Sequence, residues 1–307
     1  MKYFLRCLLL GVLATGNALA CNVCGCSASN QYLGILPQYE NHFIGLQYQY
    51  RSINSTHPGL LPSDPKEPSS EYYNTFQVWG RYHLSKRVQL FAFLPYTTNL
   101  QVKDGVRTYS SGIGDASALA TVSIIAPEKY KDKKWQQSLW VGGGVKAPTG
   151  KYTGITEMDK LGLPNTQPGT GSWDFITNAN YTIRYKKAGI NLDATYTLTT
   201  ANKYDYKYGN RLGTGLMGFY WWQKSKWKLL PQAGFRYEYT LHDYDNYSRH
   251  WLNEQTGGSI FYASAGAQAY YKQFGLQLTY SLPIAQNYAE GNVVTKTRLE
   301  TGFFFLF

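Results

Sequence analysis

The chain has 307 residues and a formal charge of +11, with 43% hydrophobic and 16% aromatic residues. Its 28 Tyr, eight Trp and 30 Gly accompany only three Met and four Cys, a mixture rich in strand and turn formers. Beyond the N-terminus no apolar run approaches the roughly 20 residues a transmembrane helix needs, and no Lys/Arg cluster with interleaved aromatics marks a nucleic-acid surface.

Residues 1–20 read as an export signal: Lys2 and Arg6 supply positive charge, residues 4–14 are largely apolar, and Ala18-Leu19-Ala20 matches the small-x-small cleavage rule. Export argues against cytosolic and nuclear roles. Residues 21–40 follow as a leader without sustained periodicity. It holds Cys21-Asn22-Val23-Cys24-Gly25-Cys26, where Cys21, Cys24 and Cys26 are all the cysteines left after cleavage. Thiolates at this spacing can converge on a soft ion. Copper(I) accepts two or three sulfurs, whereas tetrahedral zinc needs a further ligand, for which His42, His57 and His83 are candidates. Two other readings stand beside it: a disulfide, Cys21–Cys24 or Cys24–Cys26, in an oxidising envelope, and acylation of Cys21 as the first residue of a lipoprotein.

From residue 41 onward the chain alternates between strand candidates and polar connections. The strands are expected near residues 42–53, 71–84, 87–101, 112–125, 136–147, 171–186, 188–201, 210–222, 227–241, 258–271, 273–284 and 295–307. Several alternate with period two. Phe274, Leu276, Leu278, Tyr280 and Leu282 oppose Gln273, Gly275, Gln277, Thr279 and Ser281; Ile190, Leu192, Ala194, Tyr196 and Leu198 oppose Asn191, Asp193, Thr195 and Thr197. Small residues blur the pattern in 112–125 and 210–222.

Such alternation suits a soluble sandwich as well as a membrane wall. Connection lengths separate the two. Short links near 85–86, 186–187, 223–226 and 271–273, with a somewhat longer one at 126–135, alternate with long ones near 54–70, 102–111, 148–170, 201–209, 242–257 and 285–294. A barrel with an even strand number sorts its links in this way, short turns on one rim and long loops on the other. The fold class expected is therefore all-β, a twelve-stranded antiparallel transmembrane outer-membrane β-barrel. Both termini fall on the short-turn side, which is periplasmic in such barrels. Pairs such as Tyr72-Tyr73, Trp221-Trp222 and Tyr270-Tyr271 near strand ends fit interfacial girdles, and equally lumen plugs or sugar-binding platforms.

With the apolar face toward lipid, the other face lines the lumen. It includes Arg51, Arg81, His83, Lys146, Arg184, Asp193, Arg236, Glu238, Lys296, Arg298 and Glu300, among neutral groups such as Gln77, Trp79, Asn178, Asn180 and Gln232. This face mixes signs and is net basic, so it serves either as a structural ion-pair network or as the lining of a path. Twelve strands lie between small filled barrels and the wide channels of sixteen or more, which favours a small solute over a general porin. The 148–170 connection or the leader could fold inward as a constriction.

Three stretches carry a family resemblance: Ser111-Gly112-Ile113-Gly114-Asp115, Lys146-Ala147-Pro148-Thr149-Gly150 and Gly169-Thr170-Gly171-Ser172-Trp173-Asp174-Phe175. Together they resemble the transporter-like outer-membrane barrels of the phenol-degradation meta-pathway family, distantly akin to channels for hydrophobic compounds. The resemblance implies passage of small aromatic or hydrophobic compounds; the cysteine leader departs from its pattern. Phe307 likewise resembles the terminal aromatic that such barrels use as an assembly signal. From the residues themselves, Asp115 and Asp174 are expected to pin loop backbone through local hydrogen bonds.

The expected partners are outer-membrane lipid, a small solute and a periplasmic partner docking through the leader, with no nucleic acid. The rival classes are a non-conducting binding or structural barrel and an outer-membrane hydrolase. For the latter, His242, Asp243, Ser248 and His250 share a loop, but neither a G-x-S-x-G elbow nor an H-E-x-x-H helix is present, and no catalytic residue is assigned.

Overall fold

The structure, a computed structural model, describes residues 42–57, 67–126, 134–152, 166–245 and 249–307. The export signal and the leader with Cys21, Cys24 and Cys26 lie outside the described residues. The main strands are β1 (Phe43–His57), β2 (Glu67–Ser85), β3 (Val88–Lys103), β4 (Val106–Ile113), β5 (Ser117–Ile125), β6 (Trp135–Lys146), β7 (Asp174–Tyr185) and β8 (Ala188–Thr199). After the short β9 (Tyr206–Lys207) come β10 (Arg211–Tyr220), β11 (Trp222–Lys224) and β12 (Trp227–Thr240). Then follow β13 (Tyr244–Asp245), β14 (His250–Trp251), β15 (Gly258–Tyr271), β16 (Phe274–Tyr288) and β17 (Val293–Leu306).

All pairings are antiparallel, and β17 returns to pair with β1, so the sheet closes on itself. The fourteen strands of this sheet make twelve staves, because β5 continues β4 and β11 continues β10. Closure leaves no edge with unpaired N–H and C=O groups, the condition for crossing hydrocarbon with strands. Among the described residues no helix is long and apolar enough to cross a membrane.

The period-two pattern becomes the two faces of the wall. On β8, Asn191, Asp193, Thr195 and Thr197 are buried inside while Ile190, Leu192, Tyr196 and Leu198 are exposed outside. On β16, Gln277, Thr279 and Ser281 face in; Leu276, Leu278, Tyr280 and Leu282 face out. An outside that is apolar on stave after stave, around an inside that is polar and packed, is the inverse of a water-soluble barrel.

Three departures from simple alternation matter. The fourth stave is broken at residues 114–116, where Gly114 and Asp115 leave the ladder; β3 pairs first with β4 and then with β5. The expected loop at 102–111 is largely strand, closed by a tight turn in which Asp104 and Gly105 have φ of 49° and 78°, as a two-residue hairpin requires. In β17 the register against β1 slips between Ser52 and Ile53, leaving Lys296 without a partner on β1. This bulge corrects the expectation that Lys296 lines the lumen with Arg298 and Glu300. One extra residue reverses the alternation, so Thr295 and Val293 are buried and Lys296 is exposed. Beside the bulge, the Gln286 carboxamide donates to the Thr295 carbonyl at 3.1 Å and accepts from its N–H at 2.8 Å, standing in for the lost backbone pairing.

Wall curvature depends on glycine at inward positions such as Gly144 and Gly234. A Cβ on Gly144 would lie 2.1 Å from the Ala118 carbonyl oxygen, and one on Gly234 would lie 2.0 Å from that of Leu216. Only glycine lets neighbouring strands approach that closely.

Candidate functional site

The lumen is filled in layers. At the short-turn end Phe43, Trp79, Phe91, Phe93, Tyr270 and Phe304 form an apolar cluster inside the barrel. The Trp79 ring lies 4.7 Å from Phe43, 5.5 Å from Phe304 and, stacked, 5.8 Å from Phe93. The Arg81 guanidinium sits 5.2 Å from the Phe43 ring centroid, a cation held on an aromatic face. At the same end His83 donates its backbone N–H to His42 Nδ1 at 3.1 Å, with the rings 5.8 Å apart. Arg184 lies over Trp221 at 5.1 Å.

Above this cluster a chain of ion pairs crosses the interior. Arg236 on β12 donates to Glu300 on β17 at 2.9 Å. Arg298 donates to Glu300 at 2.6 Å and 2.9 Å and also pairs with Glu238. Strands β12 and β17 are not neighbours, since β15 and β16 stand between them, so the side chains meet across the lumen rather than along the wall. All four are buried. Charges that deep stay ionised only when paired and hydrogen-bonded, and here each faces its opposite. Arg51 stacks on Tyr73 at 5.6 Å nearby. Asp193 accepts hydrogen bonds from Asn178 at 3.2 Å and Asn180 at 3.1 Å.

At the long-connection end the three glycine-rich stretches of the sequence meet at Lys146. Its Nζ donates to Asp115 Oδ2 at 2.7 Å and to the Ser172 carbonyl at 3.3 Å, lies 3.1 Å from Asp174 Oδ2, and also contacts the Thr170 hydroxyl. Asp115 in turn accepts from the Gly150 N–H at 2.9 Å, the Thr170 N–H at 2.9 Å and the Thr170 hydroxyl at 2.6 Å. Ser172 donates to Asp174 at 3.0 Å. One carboxylate therefore ties both arms of the β6–β7 connection, residues 148–152 and 166–173, to the break between β4 and β5.

The returning arm lies against the inner wall. The buried Asn99 of β3 donates to the Thr166 carbonyl at 2.7 Å, and Asn202 donates to that of Thr170 at 3.0 Å. Gly150 and Gly169 approach so closely that a Cβ on Gly169 would be 2.6 Å from the Gly150 carbonyl carbon. The arrangement is a clamp. It holds the two described arms of the connection, residues 148–152 and 166–173, through a few buried, directional contacts.

Of the residues expected inside, Arg81, Lys146, Asp193, Arg236, Glu238, Arg298 and Glu300 are buried, and Arg51, His83 and Arg184 are half-buried. Sequence reasoning missed Thr170, Ser172 and Asn99. The first two stood in the Gly-Thr-Gly-Ser-Trp-Asp stretch, where hydroxyls between glycines signal backbone-directed hydrogen bonds; nothing in the sequence connected Asn99 to them. Among the proposed metal donors, His57 ends β1 while His42 precedes its start, roughly 50 Å away along an extended strand. Only His42 and His83 stand together, and among the described residues no group of three His, Cys, Asp or Glu is placed to hold a metal.

Outside the barrel mouth β14, β13 and β9 form a small sheet. Behind it Asp243 is buried, accepting from the Tyr206 hydroxyl at 2.6 Å and the Gly209 N–H at 2.7 Å. Burial pushes its carboxyl up to about 6, with those hydrogen bonds opposing the shift. His242 lies against the Thr256 carbonyl, and His250 faces Asp245 in the β13–β14 pairing. Ser248 lies outside the described residues. These contacts hold loops together.

The barrel is similar to an outer-membrane channel from Pseudomonas putida F1, with a TM-score of 0.61 and 16% identity, over 91% of this chain and 98% of that one. The fold is that of an outer-membrane barrel. It is also similar to the β domain of the Bordetella autotransporter Brka, with a TM-score of 0.51 and 10% identity over 87% of this chain and 99% of that one. No protein-family model and no curated protein matches the chain.

Proposed function

We propose that this barrel is an outer-membrane transporter for a small solute, gated at its long-connection end by the β6–β7 arms. The observation that carries the reading is the Asp115–Lys146 clamp, which holds both arms inside the mouth. A loop secured by directional contacts to one carboxylate can be released without dismantling the wall, because the wall's own ladders do not pass through it. The likeness to the Pseudomonas channel supports the same class. The aromatic layer at the short-turn end favours an apolar or aromatic solute, in line with the compounds implied by the phenol-pathway resemblance. Both termini would be periplasmic, on the short-turn side. Copper(I) or zinc at Cys21, Cys24 and Cys26 is a separate part of the proposal, tested by metal content and intact mass under reducing conditions with and without Cys24→Ser.

The transport test is uptake by proteoliposomes of a small phenol beside a sugar of similar size. Asp115→Ala removes the shared acceptor yet leaves Lys146 paired with Asp174, so it should raise phenol uptake about tenfold, the effect of a barrier lower by roughly 1.4 kcal/mol. Uptake absent from both folded proteins would overturn the transport reading. It would leave a non-conducting binding barrel, the reading that the ion pairs spanning the lumen favour.

A further inference from the structure

The short turns share a property that neither the barrel wall nor a transport path requires. The β2–β3 turn exposes Lys86 and Arg87, the β7–β8 turn Lys186 and Lys187, the β11–β12 turn Lys224 and Lys226, and the β15–β16 turn Lys272. Lys134, at the start of the β6 stave, is exposed on the same rim. Among the described residues of these turns there is no Asp or Glu; the sequence of the β5–β6 connection sets Lys129, Lys131, Lys133 and Lys134 against Glu128 and Asp132, still a basic excess. The opposite rim mixes its charges: Glu67 pairs with Lys103 at 2.5 Å, and Asp104, Asp205, Asp245 and Glu254 stand among Lys151, Lys203, Lys207 and Arg249.

Two of the basic groups on the short-turn rim fold back onto the barrel. Lys186 Nζ lies 5.3 Å from the Tyr185 ring centroid and Lys272 Nζ 5.6 Å from that of Tyr271. Both rings are exposed on the outer face, in a girdle with Trp135, Trp222, Trp227 and Phe274. Aromatic girdles mark the depth of lipid headgroups, so ammonium groups against them stand at the level of lipid phosphates. Backbone preference does not explain the lysines. Lys186 and Lys272 each have φ of 52°, a left-handed conformation that Gly or Asn adopts more readily.

We propose that the short-turn rim is a binding surface for anionic phospholipid headgroups, an annulus of cations under the aromatic girdle that selects phosphatidylglycerol-type lipids from the adjoining leaflet. It rests on the barrel spanning a membrane and is independent of whether the lumen conducts. A basic group near an anionic surface contributes about a fivefold preference, and several on one rim act together.

The experiment places the full chain in nanodiscs of phosphatidylethanolamine with a minor fraction of phosphatidylglycerol, and counts the lipids retained after mild extraction by native mass spectrometry. Phosphatidylglycerol should be enriched at least fivefold over its share of the bilayer, and about 0.5 M salt should reduce the enrichment by screening. The combined variant Lys186→Gln, Lys187→Gln, Lys224→Gln, Lys226→Gln and Lys272→Gln should abolish it. Should that variant fail to fold, Lys187→Gln with Lys224→Gln should lower the enrichment severalfold. No enrichment in the wild type, or equal enrichment in wild type and folded variant, overturns the proposal. So does preference for lipid A in mixed nanodiscs, or displacement by inorganic phosphate beyond the effect of chloride at equal ionic strength.

Discussion

At the short-turn end the lumen is filled by Phe43, Trp79, Phe93 and Phe304 in ring-to-ring contact, whereas toward the long connections it is filled by Arg236, Glu300, Arg298, Glu238 and the Lys146 clamp. The first filling is held by dispersion and the exclusion of water, which have no preferred direction and tolerate no gap. The second is held by contacts that each need one particular partner, and in which the cost of losing a partner is the charge left behind. Ends built this way respond differently to the same kind of change. A polar layer can be opened or repaired by altering single groups; an aromatic layer loses contacts with every atom removed.

The largest expected effect comes from Arg298→Met, which leaves Glu238 without its guanidinium partner and Glu300 with Arg236 alone. Removing one member of a buried ion-pair network costs about 3–5 kcal/mol, read as a lower urea midpoint for the detergent-folded barrel. Adding Glu238→Leu should recover part of that loss, because the stranded carboxylate is gone. Phe304→Ala follows, at about 3 kcal/mol from lost contact and a residual cavity. No single second substitution to a smaller residue should restore it. If one did, the contrast between the two ends would break.

A smaller effect concerns pH and the sheet outside the mouth. Asp243 has a folded value of about 6 against an ordinary 3.8. The folded form therefore favours the protonated carboxyl. That stability is complete below about pH 4 and is lost as pH rises through 6, up to about 3 kcal/mol locally. Amide exchange at Gly209, corrected for intrinsic rates, should quicken between pH 5 and 7, and Asp243→Asn should flatten the dependence. Smallest is Ser264→Ala, which removes one side of the inward Ser264–Ser281 hydroxyl pair at 2.7 Å. It should cost about 1 kcal/mol and leave uptake unchanged, sharpening the distinction between wall contacts and clamp contacts.

The sequence by itself determined the wall. Period-two patterning decides which face of each strand meets lipid, and the alternation of long and short links decides that the strands form a sorted, closed array; both are local properties readable along the chain. Strand ends were less legible, since hairpins such as β3–β4 carry polar residues beyond the lipid belt and resemble loops. Only the tertiary structure decided which of the inward residues meet. Lys146, Asp115 and Thr170 lie far apart in sequence, and Arg236 meets Glu300 across two intervening staves. Such meetings depend on closure and register, which bulges adjust: at Lys296 one added residue turns a side chain from lumen to exterior. Alternation is a sum of local preferences; register is a property of the closed ring, and no window of the sequence contains it.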